Sequence, residues 1–359
     1  MNITIVGGGS IGTQFAVHCA KKHHSVTIYT SKPKLFNPYL SIVNENGKVI
    51  CESKIAGATS NSKKAFENAD IVFVTVPSFA MKDAADTIYP YVNNRIKIGL
   101  IPGTGAGEWA FKGCLEKGAV LFGMQRVPSV ARLVKYGKTV RATGYRKELH
   151  VAALPQHRTE EISSFISEIF DMPCVQLPHY LNLTLIPSNP ILHTARLRTL
   201  FADYYKGKVY TSIPLFYESW NDEASQLLLK CDDEVQQICN TLNDCNLSYV
   251  KSLKFHYNGD TPEQITSKIS SIPSFQGLRT PSIKVKGGYI PDLHSRYFVA
   301  DFSFGLEIFV QIADFIKVNV PAMKEILGWY WNIAEEQSRF SFHNFGVQNK
   351  QNFLELYMK

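Results

Sequence analysis

The stretch Gly7-Gly8-Gly9-Ser10-Ile11-Gly12 constrains this chain more than any other. It is a G-x-G-x-x-G that directly follows an apolar run, Ile3 to Val6, and opens a helical pattern over Ile11–Lys22. Gly7 suits a tight turn, Gly9 the close approach of a pyrophosphate to the backbone, and Gly12 close packing of helix on strand. Ser10 and Ile11 sit in the same turn and join the three glycines as expected cofactor-binding residues. A glycine-rich turn alone is weak evidence, but a strand before it and a helix after it predict a dinucleotide site.

The rest of the N-terminal half agrees. Short apolar runs recur at Ser25–Tyr29, Ile71–Val76, Ile96–Ile101, Val120–Phe122 and His150–Leu154, with helical patterns such as Met81–Tyr89 between them. This alternation predicts an α/β Rossmann domain with a doubly wound parallel sheet, over residues 1–178. The second run ends in Tyr29-Thr30-Ser31-Lys32-Pro33-Lys34, without the carboxylate that bonds the ribose 2′-hydroxyl in NAD sites. Thr30, Ser31 and Lys32 suit a 2′-phosphate instead, so NADP is the expected cofactor and NAD the alternative. Val76 and Pro77 close the third run, at the kind of strand end where open α/β sheets bind ligands.

After about Leu177 the strand-like runs thin out, and residues 179–359 read as an all-α domain. Asn189 as N-cap, Pro190 at the first position and Gly207 just past the end predict one helix over Pro190–Lys206. His193 then falls in the first turn, where the helix dipole favours a neutral imidazole able to act as general base. A lone histidine on a helix is more often structural, so this position needs support from elsewhere. A second cluster runs through Gly277-Leu278-Arg279-Thr280-Pro281 and from Pro291 to Asp301, ahead of a helical pattern with Leu306, Phe309, Val310 and Ala313 on its core face. Ser303 is expected to cap that helix. Arg296 and Asp301 lie on the approach, either paired with each other or projecting toward a ligand.

Composition removes several function classes. The chain has 359 residues and is 45% hydrophobic, enough for two cored domains and too apolar for a disordered protein. No apolar stretch is long enough to span a membrane. Met1 leads almost directly into a strand, so no signal peptide and a cytoplasmic location are expected. The seven cysteines are scattered; the nearest three, Cys231, Cys239 and Cys245, lack zinc-site spacing, and no metal is expected. Lys and Arg total 38 against 31 Asp and Glu, a net charge of +7 without the motifs of a nucleic-acid binder. Seven cations, Arg126, Arg132, Lys135, Lys138, Arg141, Arg146 and Lys147, match that excess in one stretch free of acidic residues.

Taken together, these segments resemble the octopine/nopaline (opine) dehydrogenase family. The resemblance spans nearly the whole chain. It rests on the glycine turn, Gln125-Arg126-Val127-Pro128, Asn189-Pro190-Ile191-Leu192-His193, Gly277 to Pro281, Arg296-Tyr297-Phe298 with Asp301, and Tyr330-Trp331 after Val320-Pro321. It implies a Rossmann domain followed by a helical domain of the 6-phosphogluconate dehydrogenase C-terminal type. It also implies reductive condensation of an α-keto acid with the amino group of an amino acid, through an imine reduced by NAD(P)H. On the matched positions, His193 is the proton shuttle, Asp301 its orienting partner and Arg296 the holder of a substrate carboxylate. Gln125, Thr143 and Asn189 are further expected substrate contacts, and Trp220, Tyr204 and Glu218 either line the amine pocket or pack. A ketopantoate-reductase-like keto-acid reductase and a non-catalytic NADP-binding sensor are the competing readings. The aromatic C-terminal stretch from Trp329 to Phe353 is either a homodimer surface or helical core.

Overall fold

The computed structural model describes residues 1–335 and 338–358. They form two compact units, Met1–Thr184 with the last residues from Leu354, and Leu185–Phe353.

In the first unit β1 (Asn2–Val6), β2 (Ser25–Tyr29), β3 (Tyr39–Val43), β4 (Val49–Lys54), β5 (Gly57–Thr59) and β6 (Ile71–Val74) are followed by β7 (Lys97–Leu100), β8 (Val120–Met124), β9 (Val130–Lys135), β10 (Thr139–Thr143), β11 (Leu149–Leu154) and β12 (Cys174–Gln176). Eight of them make one sheet in the order β12-β11-β8-β7-β6-β1-β2-β5. β6 and β8 are buried at every position, as strands covered on both faces must be. The chain leaves β1 for β2 on one side and returns to β6 on the other. That reversal opens a crevice beyond the carboxyl ends of β1 and β6.

The sheet is not wholly parallel, because β11 runs antiparallel to β8. The reason lies in the connection between them. It is an excursion through β9 and β10, an antiparallel hairpin, rather than a crossover helix that would return the chain in the same direction. The hairpin joins β3 and β4 in a second sheet of order β4-β3-β10-β9, which alternation in the sequence did not announce. The helix Ser10–Lys21 packs against strands of both sheets. This explains why polar Thr13 and Gln14 on that helix are fully buried, Gln14 bonding Ser129 Oγ at 2.7 Å.

The last residues return to the first unit for a specific reason. Glu108 is fully buried, and its Oε1 accepts from Thr184 Oγ1 at 2.6 Å and from the Tyr357 hydroxyl at 2.8 Å. Burial pushes the Glu108 carboxyl above its usual range. The indole of Trp109 also donates to Tyr357.

The second unit is mainly helical, with one added feature, the hairpin Ser282–Val285 and Gly288–Pro291. Its central helix is Asn189–Leu200, where Ile191 to Leu197 are all buried. It packs against Asp222–Thr241, Arg296–Val299, the turn Phe302–Leu306 and Pro321–Ala334. The expected helix boundaries change here. Asn189 is itself the first helical residue, with no side-chain cap, and the helix ends at Leu200, well short of Gly207. Ser303 does not cap the following helix; it lies buried in a π-type turn that runs into Glu307–Ile316, and its hydroxyl accepts from Arg339 N. Tyr330, Phe340, Phe342 and Phe353 are buried, so the aromatic C-terminal stretch builds core. No helix among the described residues is long and apolar enough to cross a membrane.

Candidate active site

The first unit offers a site for a dinucleotide at its glycine turn. Gly7 has φ +107° and its amide bonds Tyr29 O, which closes the turn. A Cβ on Gly12 would stand 1.9 Å from the Gly7 carbonyl, so only glycine permits this packing. Gly9 is different: a Cβ there would meet nothing of the protein within 4 Å. What a side chain at Gly9 would fill is the open cradle over the first turn of Ser10–Lys21, a turn without a side-chain cap or an acidic residue. Free amides at a helix N-terminus with no competing carboxylate fit a pyrophosphate.

The flanking residues lie as follows. Ile11 is half-buried in the first turn, and Ser10 Oγ accepts from Leu133 N of β9. Val76 and Pro77 follow β6 at the crevice, half-buried and exposed respectively. Thr30 is buried, and its hydroxyl lies 3.1 Å from that of Tyr136 at the β9–β10 turn. Ser31 and Lys32 are exposed, and Lys32 and Lys34 pair with no carboxylate among the described residues. Most of the cationic stretch lies on or beside the β9–β10 hairpin, with Arg132 directly opposite Arg141. Gln125 is buried after β8, its amide donating to Asn182 O at 2.9 Å, and Thr143 ends β10.

The second unit brings His193 and Asp301 together. His193 Nδ1 lies 2.7 Å from Asp301 Oδ2, with side-chain exposures of 5% and 14%. A carboxylate can only accept, so Nδ1 carries the proton and the lone pair of the neutral ring sits at Nε2. The helix begins one residue earlier than expected, which puts His193 at its fifth position and beyond the strongest dipole effect. Asp301 is the carboxylate in direct contact with the ring. Its approach depends on Gly305, where a Cβ would stand 2.9 Å from Pro190 Cβ. That close passage seats the turn Phe302–Leu306 on the start of the His193 helix.

Arg296 does not pair with Asp301. It opens the short helix Arg296–Val299, is exposed, and forms no ion pair among the described residues. Asn189 is exposed at the head of the central helix. Trp220 is buried with its indole on Ser225 Oγ, Tyr204 stacks on Tyr210, and the Glu218 carboxylate accepts from Gly277 N. Each of the three thus has a packing or loop-fixing contact.

One residue at the site escaped sequence reasoning. The Tyr217 hydroxyl lies 2.7 Å from His193 Nε2, and its ring is 4% exposed. Its loop is held by Arg196, three residues after His193, which donates to Phe216 O, Ser219 O and Asn221 Oδ1. The Gly277–Pro281 motif supports the same loop: Phe216 N bonds Leu278 O, and Thr280 Oγ1 bonds Pro214 O. The only sequence signal was the short distance from Tyr217 to Trp220 and Glu218, already singled out.

Comparison with known proteins now bears on this geometry. The family model described as NAD/NADP octopine/nopaline dehydrogenase, alpha-helical domain, matches residues 176–334. That described as NAD-dependent glycerol-3-phosphate dehydrogenase N-terminus matches residues 2–119. Tauropine dehydrogenase of Arabella iricolor is 24% identical over 91% of this chain and 90% of its own. The helical domain of this chain belongs to the opine dehydrogenase family. An uncharacterised protein of Sinorhizobium fredii is 28% identical, covering 92% of this chain and 94% of its own. The structure of octopine dehydrogenase with NADH and L-arginine superposes with a TM-score of 0.85 at 20% identity, over 99% of this chain and 98% of that one. As an opine dehydrogenase-type protein the chain is an NAD(P)-dependent oxidoreductase.

Proposed function

We propose that the protein condenses a pyruvate-like α-keto acid with the amino group of an amino acid and reduces the resulting imine to a secondary amine. The single observation that carries this reading is the buried His193–Asp301 pair in a helical domain of this family. Carbinolamine dehydration needs a proton delivered to the departing hydroxyl and one removed from nitrogen. A histidine held in one tautomer by a carboxylate performs both. Arg296, exposed next to Tyr297, whose ring packs on His193, and without a carboxylate partner among the described residues, would take a substrate carboxylate. Asn189 is the further substrate contact proposed on this unit.

Gly7, Gly9, Ser10, Ile11 and Gly12, with Val76 and Pro77, would hold the reduced dinucleotide, which would supply the hydride. We further propose NADP over NAD. The support is Lys32 beside Thr30 and Ser31, with no acidic residue in that stretch. Screening NADPH and NADH oxidation with keto acids against the common amino acids, with product mass spectrometry, tests both statements. Secondary-amine products and a lower KM for NADPH are expected. Reduction of the keto acid to a hydroxy acid without amine would overturn the condensation, and equal kcat/KM for the two cofactors the preference.

A further inference from the structure

Both ring nitrogens of His193 are taken. Asp301 holds Nδ1–H, and the Tyr217 hydroxyl, 2.7 Å from Nε2, faces the lone pair that a general base must offer. We propose that His193 exchanges its catalytic proton through the Tyr217 hydroxyl. The inference rests on the imine-reduction reading only for the identity of the group whose proton is moved.

The alternative, a tyrosine that swings aside, meets the packing of its ring. Tyr217 stacks on Phe275 with centroids 4.1 Å apart and planes 19° apart, and Phe216 meets it edge-on at 4.8 Å. Trp220 lies parallel to it at 6.3 Å. Arg196 and the Gly277–Pro281 strap fix the backbone on either side. A ring so confined keeps its hydroxyl on His193. Tyr297, a half-buried residue next to Arg296, packs its ring 4.5 Å from that of His193. The titratable groups acting on Tyr217 are Tyr297, Tyr257, Asp301 and His193.

The transfer balances at each atom. When His193 acts as base, the Tyr217 O–H bond breaks as its proton bonds Nε2. The same oxygen accepts the proton of the group being deprotonated. When His193 acts as acid, every step reverses. Tyr217 does not change its net protonation, so burial that opposes a free tyrosinate does not block the path. Tyr217 is thus a positioning residue acting through His193.

The test compares wild type, Tyr217→Phe, and protein carrying 3,5-difluorotyrosine at 217, a near-isosteric ring with a more acidic hydroxyl. Tyr217→Phe should lower kcat about 10- to 100-fold with the keto-acid KM little changed. The fluorinated protein should keep its fold and shift the pH profile of kcat, which a packing role would not do. A wild-type profile in the fluorinated protein, with kcat of Tyr217→Phe within about twofold of wild type, overturns the relay. If wild type reduces keto acid without amine, the condensation fails while the same kinetic comparison still tests the relay. Nitrogen NMR decides independently of turnover, with His193 assigned by its loss in His193→Gln. Its Nε2 resonance should move in Tyr217→Phe, and an unmoved resonance overturns the proposal even in an inactive protein.

Discussion

Asp301 determines which nitrogen of His193 carries the proton, and this is chemistry that charge alone would not supply. His193→Ala should lower kcat by roughly 10²–10⁴. Asp301→Asn should fall in the same direction, because an amide can hold the ring in the wrong tautomer. Dinucleotide affinity, measured by fluorescence titration, should be unchanged in both, since neither residue belongs to the unit with the glycine turn. Near-normal turnover in His193→Ala would remove it from the mechanism. Arg296 is expected to behave differently. Its guanidinium is exposed and unpaired with any carboxylate among the described residues, so Arg296→Ala should raise the keto-acid KM more than it lowers kcat. An unchanged KM would argue for a surface role.

At the scale of elements, one helix organises the second unit's site. Residues 193 and 196 lie one turn apart on Asn189–Leu200, so the helix that presents the histidine also anchors the loop that covers it. Arg196 is 2% exposed, and burial lowers its guanidinium to about 10. Arg196→Ala leaves three oxygen acceptors without their donor and should cost about 3 kcal/mol in urea denaturation. Arg196→Lys should recover little, because an ammonium cannot reproduce the planar fork. Full recovery by lysine would mean that charge, not geometry, holds the loop. The same scale explains the hairpin β9–β10. It was visible only as a run of cations, since its partners β3 and β4 lie far back in the sequence.

For the molecule as a whole, buried and surface carboxylates pull stability in opposite directions with pH. Asp232 is fully buried, accepts from Leu253 N at 2.7 Å, and burial raises its carboxyl from 3.8 to about 6. A raised acid binds its proton more tightly in the folded state. Its contribution is therefore complete below about pH 4 and is lost as pH rises through about 6. Wild type minus Asp232→Asn stability should be greater at pH 4.5 than at pH 7, by about 2 kcal/mol in urea titrations. A difference independent of pH would show that Asp232 does not titrate in this range. Lys32 and Lys34 make a second prediction: raising salt from 50 to 500 mM should weaken NADPH binding more than NADH binding, because these cations after Thr30, paired with no carboxylate among the described residues, are screened. Equal salt dependence would place those charges outside the cofactor's field.

Much of the fold and part of the site were written locally. The glycine turn, the strand runs and a helix opening within a residue of Pro190 are short-range patterns in which a few neighbours determine the backbone. His193, Arg296 and Asp301 stood out because they fall on motif positions. The antiparallel return of β11 was not legible, since strand direction depends on a connection whose hairpin pairs with distant residues. Nor was the choice Asp301 made between Arg296 and His193, which turns on Gly305 passing close to Pro190. By itself the sequence determined a dinucleotide turn, a helical second half and the residue types for proton transfer, because these follow from local conformation and chemical identity. Only the tertiary structure decided that Asp301 meets Nδ1, that Tyr217 closes Nε2, and that the excess charge lies along a hairpin. Hydrogen bonds of 2.7 Å between residues 24 and 108 positions apart are a property of packing, not of order along the chain.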